Sequence, residues 1–261
     1  MRLAVMTLKG RGATTTALGL AAHWTADEER PIVVELDPEG GDIAARWLMR
    51  PDPGLADVAA AVASSPHAGS EVLAEGVRSI PVGGVAVRVV CAPPGGRAVR
   101  KTLPFLTAPG AKILDDPEGT VITDLGRLYA GSPGWPVAAT ADAVVCVADG
   151  TLDQFAHLRA RLDELTDLAR LGPRVAIAVI ERDYTAAQVA EHFLAAGLNV
   201  RVLGAAGPLH AATAAGSAGR AARRGRRAWR QLAETVREFA AEPRPLALAA
   251  APAQAPEQAT S

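Results

Sequence analysis

The chain has 261 residues, of which 49% are hydrophobic and 21% charged, and its formal net charge is −1 at pH 7. This is the composition of an ordinary globular protein. A net charge so close to zero excludes a global attraction to nucleic acid or to anionic lipid. Any such binding has to come from a local patch of charge.

The chain carries no sign of a secreted, redox-active or membrane-spanning protein. Its two cysteines, Cys91 and Cys146, lie inside apolar runs, so we expect buried free thiols. The N-terminal residues lack the long apolar region of a secretion signal. No apolar stretch reaches the roughly 18 residues that a membrane helix needs. We therefore expect a protein of the cytoplasm.

Short apolar runs alternate with helical patterns along most of the chain. The runs predict strands at residues 3–7, 32–36, 85–91, 120–124, 143–147, 175–180 and 200–203. The intervening patterns predict helices at 15–26, 55–64, 98–106, 152–171, 186–196 and 219–241. Continuous Val, Ile, Leu and Ala runs are typical of parallel strands covered on both faces. The sequence thus predicts a doubly wound α/β fold with a mostly parallel sheet and helices on both faces.

Three segments fall outside this alternation. Residues 66–82 are less periodic and predict irregular structure or an edge element, and residues 131–136 predict a loop. Residues 242–261 are rich in Ala and Pro and lack a hydrophobic face, which predicts a disordered tail. We expect one domain over residues 1–241, followed by that tail.

The first predicted strand leads through a Gly-rich turn into a helix that opens on threonines. This is the layout of a phosphate-binding loop, in which a helix N-terminus and free backbone N–H groups face an anion. Gly10 and Gly12 allow the close backbone approach that such a loop needs. Where the usual pattern has Gly-Lys-[Ser/Thr], however, the chain has Gly12-Ala13-Thr14. A plain strand-to-helix turn capped by threonines is the alternative interpretation.

Carboxylates close two of the predicted strands. Glu35 and Asp37 stand at the end of one, and Asp124 ends another. The carboxyl ends of parallel strands face the ligand crevice, where such groups could hold Mg²⁺ or orient a nucleophilic water. The Asp-Pro and Gly-Gly pairs of residues 37–41 are equally ordinary turn chemistry, and this alternative stays open.

Together these segments resemble the motifs of the MinD/ParA family of deviant Walker A ATPases. Residues 14–21 match the end of the family's first motif, residues 33–40 resemble its second, and residues 123–126 resemble its third. Leu203-Gly-Ala-Ala-Gly-Pro-Leu-His210 is similar to the late segment that contacts the base. The resemblance covers roughly residues 1–240, in the expected order. It implies a P-loop NTPase fold, bound ATP and Mg²⁺, and a homodimer.

The resemblance also implies roles for particular residues. Asp37 would position the attacking water, and Lys9 would serve the nucleotide of the partner subunit. Magnesium would be served by Thr14, Asp37 and Asp124. The nucleotide would be bound by Gly10, Arg11, Gly12, Ala13, Thr14, Thr15 and Pro208.

The first loop departs from the family pattern at its lysines. The phosphate-contacting lysine falls on Ala13, and the signature lysine falls on Leu8 without a gap or on Lys9 in a loop one residue shorter. We favour Lys9, with Arg11 as a candidate substitute for the lost charge. The chain therefore resembles an actinobacterial-type subgroup whose degenerate loop lacks the Walker A lysine. We expect ATP binding with slow or absent hydrolysis.

An arginine cluster marks the last predicted helix and consists of Arg220, Arg223, Arg224, Arg226, Arg227 and Arg230. Helical spacing distributes these side chains over more than one face, so a solvated surface is the leading interpretation. Nonspecific DNA binding, as in ParA relatives, is the alternative, with candidate contacts from Arg220, Arg223, Arg224 and Arg227.

Two functions follow from the resemblance. The first is intracellular positioning by ATP-dependent dimerisation, as in chromosome or plasmid partitioning, division-site placement or localisation of a cellular machine. The second is a pseudo-ATPase that keeps the fold as a dimerising or recruiting scaffold, for example for a pilus or secretion system. An unidentified protein partner is expected in either case.

Overall fold

The computed structural model describes residues 1–9, 11–24, 30–65, 68–108, 111–116, 119–198, 200–206 and 220–242. The predictions for Gly10, for Pro208, for the side chain of Arg220 and for the tail beyond residue 242 lie outside the described residues. The eight strands and nine helices given below all lie within these ranges.

Eight strands form one sheet, and seven of them confirm the predicted apolar runs. Their bounds are β1 Arg2–Thr7, β2 Ile32–Glu35, β3 Val77–Val82, β4 Val85–Val90, β5 Val121–Arg127, β6 Ala143–Asp149, β7 Arg174–Ile180 and β8 Arg201–Ala205. The strand order is β3-β4-β2-β5-β1-β6-β7-β8. Only β3 runs antiparallel, at the edge beside β4, and it supplies the edge element within residues 66–82. The predicted doubly wound α/β fold is confirmed.

Helices cover both faces of the sheet. Their bounds are α1 Ala13–Ala22, α2 Ile43–Arg46, α3 Leu55–Ser64, α4 Gly96–Leu106, α5 Trp135–Thr140, α6 Leu152–Ala160, α7 Leu162–Arg170, α8 Ala186–Ala195 and α9 Arg220–Ala241. A 3-10 turn at Ser70–Glu75 precedes β3. Among the described residues, no helix combines the length and apolar composition needed to cross a bilayer.

One helix prediction and one loop prediction were wrong. The predicted helix 152–171 is broken at Arg161, whose backbone N–H donates to Leu158 O rather than one residue further back. The predicted loop at 131–136 ends where α5 begins at Trp135, since Pro136 fits the first turn of a helix.

Alternate residues of each central strand enter two separate cores. On β1, Leu3 and Val5 belong to the core beneath α1 and α9, whereas Ala4 and Met6 belong to the core on the opposite face. Because both faces are covered, the strand is apolar throughout, as the continuous run predicts.

The two thiols confirm the expectation of buried free cysteines. Burial raises the pKa of Cys91 to about 11 and that of Cys146 to about 12. Since the thiolate is the reactive form, both side chains are unreactive members of the core at neutral pH.

A close helix contact fixes α9 on α1. Trp229 is completely buried, and a Cβ placed on Gly19 would lie 2.6–2.8 Å from three atoms of its indole ring. Only a glycine leaves room for the ring at this crossing, so the mid-helix glycine is a packing feature.

We expect Gly19→Ala to destabilise the protein by about 1–2 kcal/mol, because overpacking outweighs the higher helix propensity of alanine. Chemical denaturation measures this change. In a Trp229→Leu background the ring is absent, so the same substitution should become neutral or stabilising. Equal destabilisation in both backgrounds would contradict the packing explanation.

Candidate functional site

The first loop, residues 8–12, joins β1 to the N-terminus of α1. Gly12 precedes the helix with a φ of +107°, and no side chain caps the helix. The N–H of Thr16 donates to Gly12 O at 2.8 Å, closing the first turn. The N–H groups of residues 13–15 lie before that bond and have no intrahelical acceptor. No acidic residue occupies this first turn, so the helix end is suited to an anion.

The conformation of Gly12 favours glycine, and two apolar side chains lie close to the position. A Cβ at this position would lie 2.5 Å from Ile180 Cδ1 and 3.1 Å from Val147 Cγ1. These side chains come from the ends of β7 and β6. The glycine therefore lets the first loop rest directly on the neighbouring strand ends.

Asp124 lies at the same edge of the sheet and is completely buried. One carboxyl oxygen accepts a 3.1 Å hydrogen bond from the N–H of Gly126, and the other, Oδ2, has no partner of good geometry in the described structure. The pKa of Asp124 is raised to about 7, mainly by burial and also by the nearby Glu35 and Asp37, while hydrogen bonding from the Thr14 hydroxyl and the Gly126 N–H opposes the rise. An unpaired buried carboxyl oxygen beside a hydroxyl is a donor set that suits Mg²⁺.

Asp37 follows β2 and reaches the end of β5. Its Oδ1 accepts a 2.9 Å hydrogen bond from the N–H of Glu39. A Cβ on Gly126, whose φ is +56°, would collide with Asp37 Oδ2. Burial is the main cause that raises the pKa of this carboxyl. The structure thus brings Asp37, Asp124 and Thr14 together, as the sequence predicts.

Glu35 has a different role. Its buried carboxylate accepts hydrogen bonds of 2.6, 2.9 and 2.9 Å from the N–H groups of Asp42, Ile43 and Ala92. Burial raises its pKa, and the three donors oppose that shift. With its oxygens occupied by backbone donors, Glu35 holds the turn after β2 against the turn after β4. Of the two interpretations of this segment, the structural one, a residue that stabilises a turn, therefore accounts for Glu35.

The basic residues of the first loop do not converge on these carboxyl groups. Lys9 Nζ lies 2.5 Å from His157 Nε2 on α6. Arg11 is exposed and makes no ion pair with any described residue. Ala13, at the position of the lost lysine, is 3% exposed and part of the core. Thr15 is half-buried in the first turn of α1.

Sequence reasoning missed an ion pair next to this loop. Arg161 pairs with Glu164 at 2.6 Å and also donates to the carbonyl oxygen of Leu8. An (i, i+3) Arg–Glu pair in a helical pattern looks like an ordinary surface pair, so no local signal marks it.

Four of the arginines on α9 line a single groove. A groove of about 600 Å³ is lined by Arg223, Arg226, Arg227, Arg230, Gln231 and Glu234. Four arginines therefore share one face, at i, i+3, i+4 and i+7, whereas Arg224 does not line the groove. The prediction of more than one face agrees with the place of Arg224, while the spacing of these four puts them along one helical stripe.

Within the described ranges, no group of three or more His, Cys, Asp or Glu side chains has the arrangement of a metal centre. A cation at the first loop would therefore rest on a hydroxyl and the two carboxyl groups of Asp37 and Asp124, completed by water or phosphate. Magnesium tolerates such a sparse protein contribution, since it keeps several waters and binds substrate phosphates.

Comparison with known proteins gives a fold but no close relative. No protein-family model matches the chain, and no curated protein matches it. The cell-division ATPase MinD of Pyrococcus furiosus matches with a TM-score of 0.64 and 16% identity, over 91% of this chain and 98% of that one. MinD of Pyrococcus horikoshii in complex with Mg-ADP matches with a TM-score of 0.61 and 14% identity, over 92% and 98%. A ParA-family ATPase of Chlorobium tepidum matches with a TM-score of 0.56 and 15% identity, over 93% and 99%.

These likenesses show the fold that this chain adopts. It is a doubly wound, mostly parallel sheet like that of the MinD and ParA-family ATPases compared above. The coverage includes nearly the whole of each compared protein. The first loop and Asp124 lie at the end of the sheet where ligands of such folds bind.

We expect Asp124→Asn to stabilise the protein without ligand by about 1–4 kcal/mol at pH 8, because the substitution removes a buried charge and keeps the shape. The pKa of Asp124 is about 7 in the folded protein, above its ordinary 3.8. Wild-type stability therefore falls as pH rises between about 4 and 7, and the advantage of the variant grows over that window. Thermal denaturation at several pH values measures it.

The matched control is Glu191→Gln, an exposed carboxylate on α8. Its effect on the melting temperature should be small at every pH. A destabilised Asp124→Asn protein, or an advantage that shrinks toward alkaline pH, would show that this carboxyl is satisfied in the folded state.

Proposed function

We propose that this chain is a MinD/ParA-like nucleotide-binding protein that acts in intracellular positioning, as in chromosome or plasmid partitioning, division-site placement or localisation of a cellular machine. The observation that carries the proposal is the unpaired Oδ2 of buried Asp124, beside Thr14 and Asp37 at the N-terminus of α1. The fold shared with MinD and ParA-family ATPases supports it.

In the proposed site, backbone groups bind the phosphates and side chains bind the cation. The N–H groups of residues 13–15 bind phosphate oxygens, while Thr14 and Asp124 hold Mg²⁺ and Asp37 orients a water molecule. Bound magnesium supplies positive charge that neutralises the phosphates. Cation binding also keeps the two carboxyl groups ionised, since a nearby positive charge lowers a raised carboxyl pKa. Residues 10–15 and Pro208 complete the proposed nucleotide contacts.

Hydrolysis in this proposal is slow or absent. Ala13 cannot supply the point charge that a lysine places on the β- and γ-phosphates. The loss of one such contact costs about 3 kcal/mol of transition-state stabilisation, or roughly a hundredfold in rate. Lys9, exposed beside α6, is the residue we propose for contact with the nucleotide of the other subunit in a homodimer.

A pseudo-ATPase scaffold, for instance for a pilus or secretion system, is the second candidate. The observation that favours it is the buried Ala13, together with the side chain of Lys9, which contacts His157 on α6 and not the carboxyl groups of the site. This protein would keep the dimerising or recruiting surface of the fold and bind a protein partner without turnover. In either case we propose that the chain belongs to the subgroup whose degenerate loop lacks the Walker A lysine.

We expect Mg²⁺ with ATP, but not ATP alone, to raise the melting temperature and to shift the chain from monomer to dimer in sizing. Asp124→Asn should remove the Mg²⁺ dependence, because the variant lacks the charged oxygen. Ala13→Lys should strengthen ATP binding about tenfold, as one charge-assisted hydrogen bond allows. Calorimetric titration measures affinity, and phosphate release measures turnover.

Glu191→Gln again serves as the matched control and should titrate like the wild type. Binding without phosphate release would favour the scaffold. Absence of binding by both the wild type and Ala13→Lys would refute the nucleotide site.

We also propose that the α9 groove binds DNA without sequence preference, with Arg223, Arg226, Arg227 and Arg230 contacting phosphates. The common face of these side chains supports the proposal. This proposal changes the DNA-contacting residues expected from the sequence. Arg224 is removed because it does not line the groove, and Arg226 and Arg230 are added because they do.

Arg227→Gln should weaken binding to duplex DNA and reduce the salt slope by about one, because one phosphate contact is lost. Arg224→Gln, on the same helix, is the control and should change the slope little. Fluorescence anisotropy at several salt concentrations gives both values. An equal effect of the two substitutions would mean that DNA does not bind in the groove. If the protein does not bind DNA even at low salt, the arginines form only a solvated surface.

A further inference from the structure

One arginine side chain joins three separate segments beside the first loop. Arg161, at the break between α6 and α7, donates from Nη1 to Leu8 O at 2.5 Å and from Nη2 to Leu128 O at 3.4 Å. Its Nε and Nη2 donate to the two oxygens of Glu164 at 2.6 and 2.7 Å. Glu164 Oε2 also accepts a 3.0 Å bond from the N–H of Ala130.

These bonds differ from those of a surface ion pair. The side chains of Arg161 and Glu164 are 21% and 22% exposed, whereas Arg170 and Asp167, an (i, i+3) pair on α7, are 73% and 62% exposed. Glu164 raises the pKa of Arg161, which in turn lowers the pKa of Glu164. The bidentate geometry holds the guanidinium plane in one orientation, so its remaining donors have fixed directions.

We propose that Arg161 is a positioning residue that couples the first loop to the turn at residues 128–130 after β5. The guanidinium binds a carbonyl oxygen in each segment, and its partner Glu164 binds an N–H in the second. A movement of Leu8 must therefore break a bond to Arg161 or carry the turn after β5 with it. A second contact, between Lys9 and His157, links the same loop to α6.

The coupling has a consequence that rests on the proposed function. Nucleotide binding at the N-terminus of α1 would restrict the motion of the first loop. Through Arg161, the motion of residues 128–134 and of α5 would be restricted as well.

Hydrogen–deuterium exchange of the protein without ligand tests the coupling directly. In Arg161→Gln we expect exchange in peptides covering residues 8–13 and 127–134 to accelerate about tenfold to a hundredfold, because charge-assisted bonds are lost. Arg161→Lys keeps the positive charge and one nitrogen donor atom, so it should recover part of the protection of the first loop. Arg170→Gln removes the comparable surface pair and should change neither segment.

Glu164→Gln separates coupling from local support, since Glu164 contacts the turn after β5 but not the first loop. If Arg161 couples the two segments, this variant also accelerates exchange at residues 8–13, by about threefold or more. Exchange that rises only at 127–134 would overturn the proposal. Equal acceleration across the chain, including α8, would show a general loss of stability and would overturn it too.

A second arm adds Mg²⁺ and ATP. Protection of both segments in the wild type, but only of residues 8–13 in Arg161→Gln, is the expected result. Protection confined to the first loop in the wild type would contradict the coupling. No protection in any segment would count against the proposed nucleotide site alone, since the ligand-free exchange rates decide the role of Arg161 independently.

Discussion

The pairing of β5 between β1 and β2 is the constraint on which the candidate site depends. In this register Asp124 lies beside Val5 on one neighbour and beside Glu35 on the other. The segments that follow all three strands therefore emerge at one edge of the sheet, the first loop from β1 and the turn with Asp37 from β2. Thr14 meets Asp124 because parallel strands bring these distant segments side by side.

Two buried carboxyl groups at this edge have opposite surroundings. Glu35 accepts three backbone hydrogen bonds and holds a turn, whereas Asp124 accepts one and leaves Oδ2 unpaired. A satisfied carboxylate stabilises the fold, but a buried oxygen without a donor costs free energy. Such a cost is typical of functional sites, where a proton or a cation completes the arrangement. Hydrogen-bond satisfaction, more than acidity, thus distinguishes the candidate ligand from the structural residue.

Local patterns predict much of the fold and part of the site. Seven strands coincide with predicted, mostly apolar runs, and helix 55–64 has its predicted bounds, because strand burial and helical spacing are properties of neighbouring residues. The meeting of Thr14, Asp37 and Asp124 was also predictable, since each follows or ends a strand. The break at Arg161 was not. Its side chain bonds to carbonyl groups in the first loop and after β5, and such tertiary contacts leave no trace in local periodicity.

The charge balance at the first loop defines what kind of nucleotide site this would be. Ala13 carries no charge, Lys9 lies against His157, and Glu164 neutralises Arg161. In the proposed site, the positive field on a phosphate therefore comes from the N-terminus of α1, equivalent to about half a charge, from the bound cation and from Arg11, the exposed basic side chain of the first loop. A loop with a lysine can hold phosphate before magnesium arrives. In the proposed site the cation must also neutralise the negative charge of two carboxyl groups. The nucleotide would therefore bind together with Mg²⁺, as a complex.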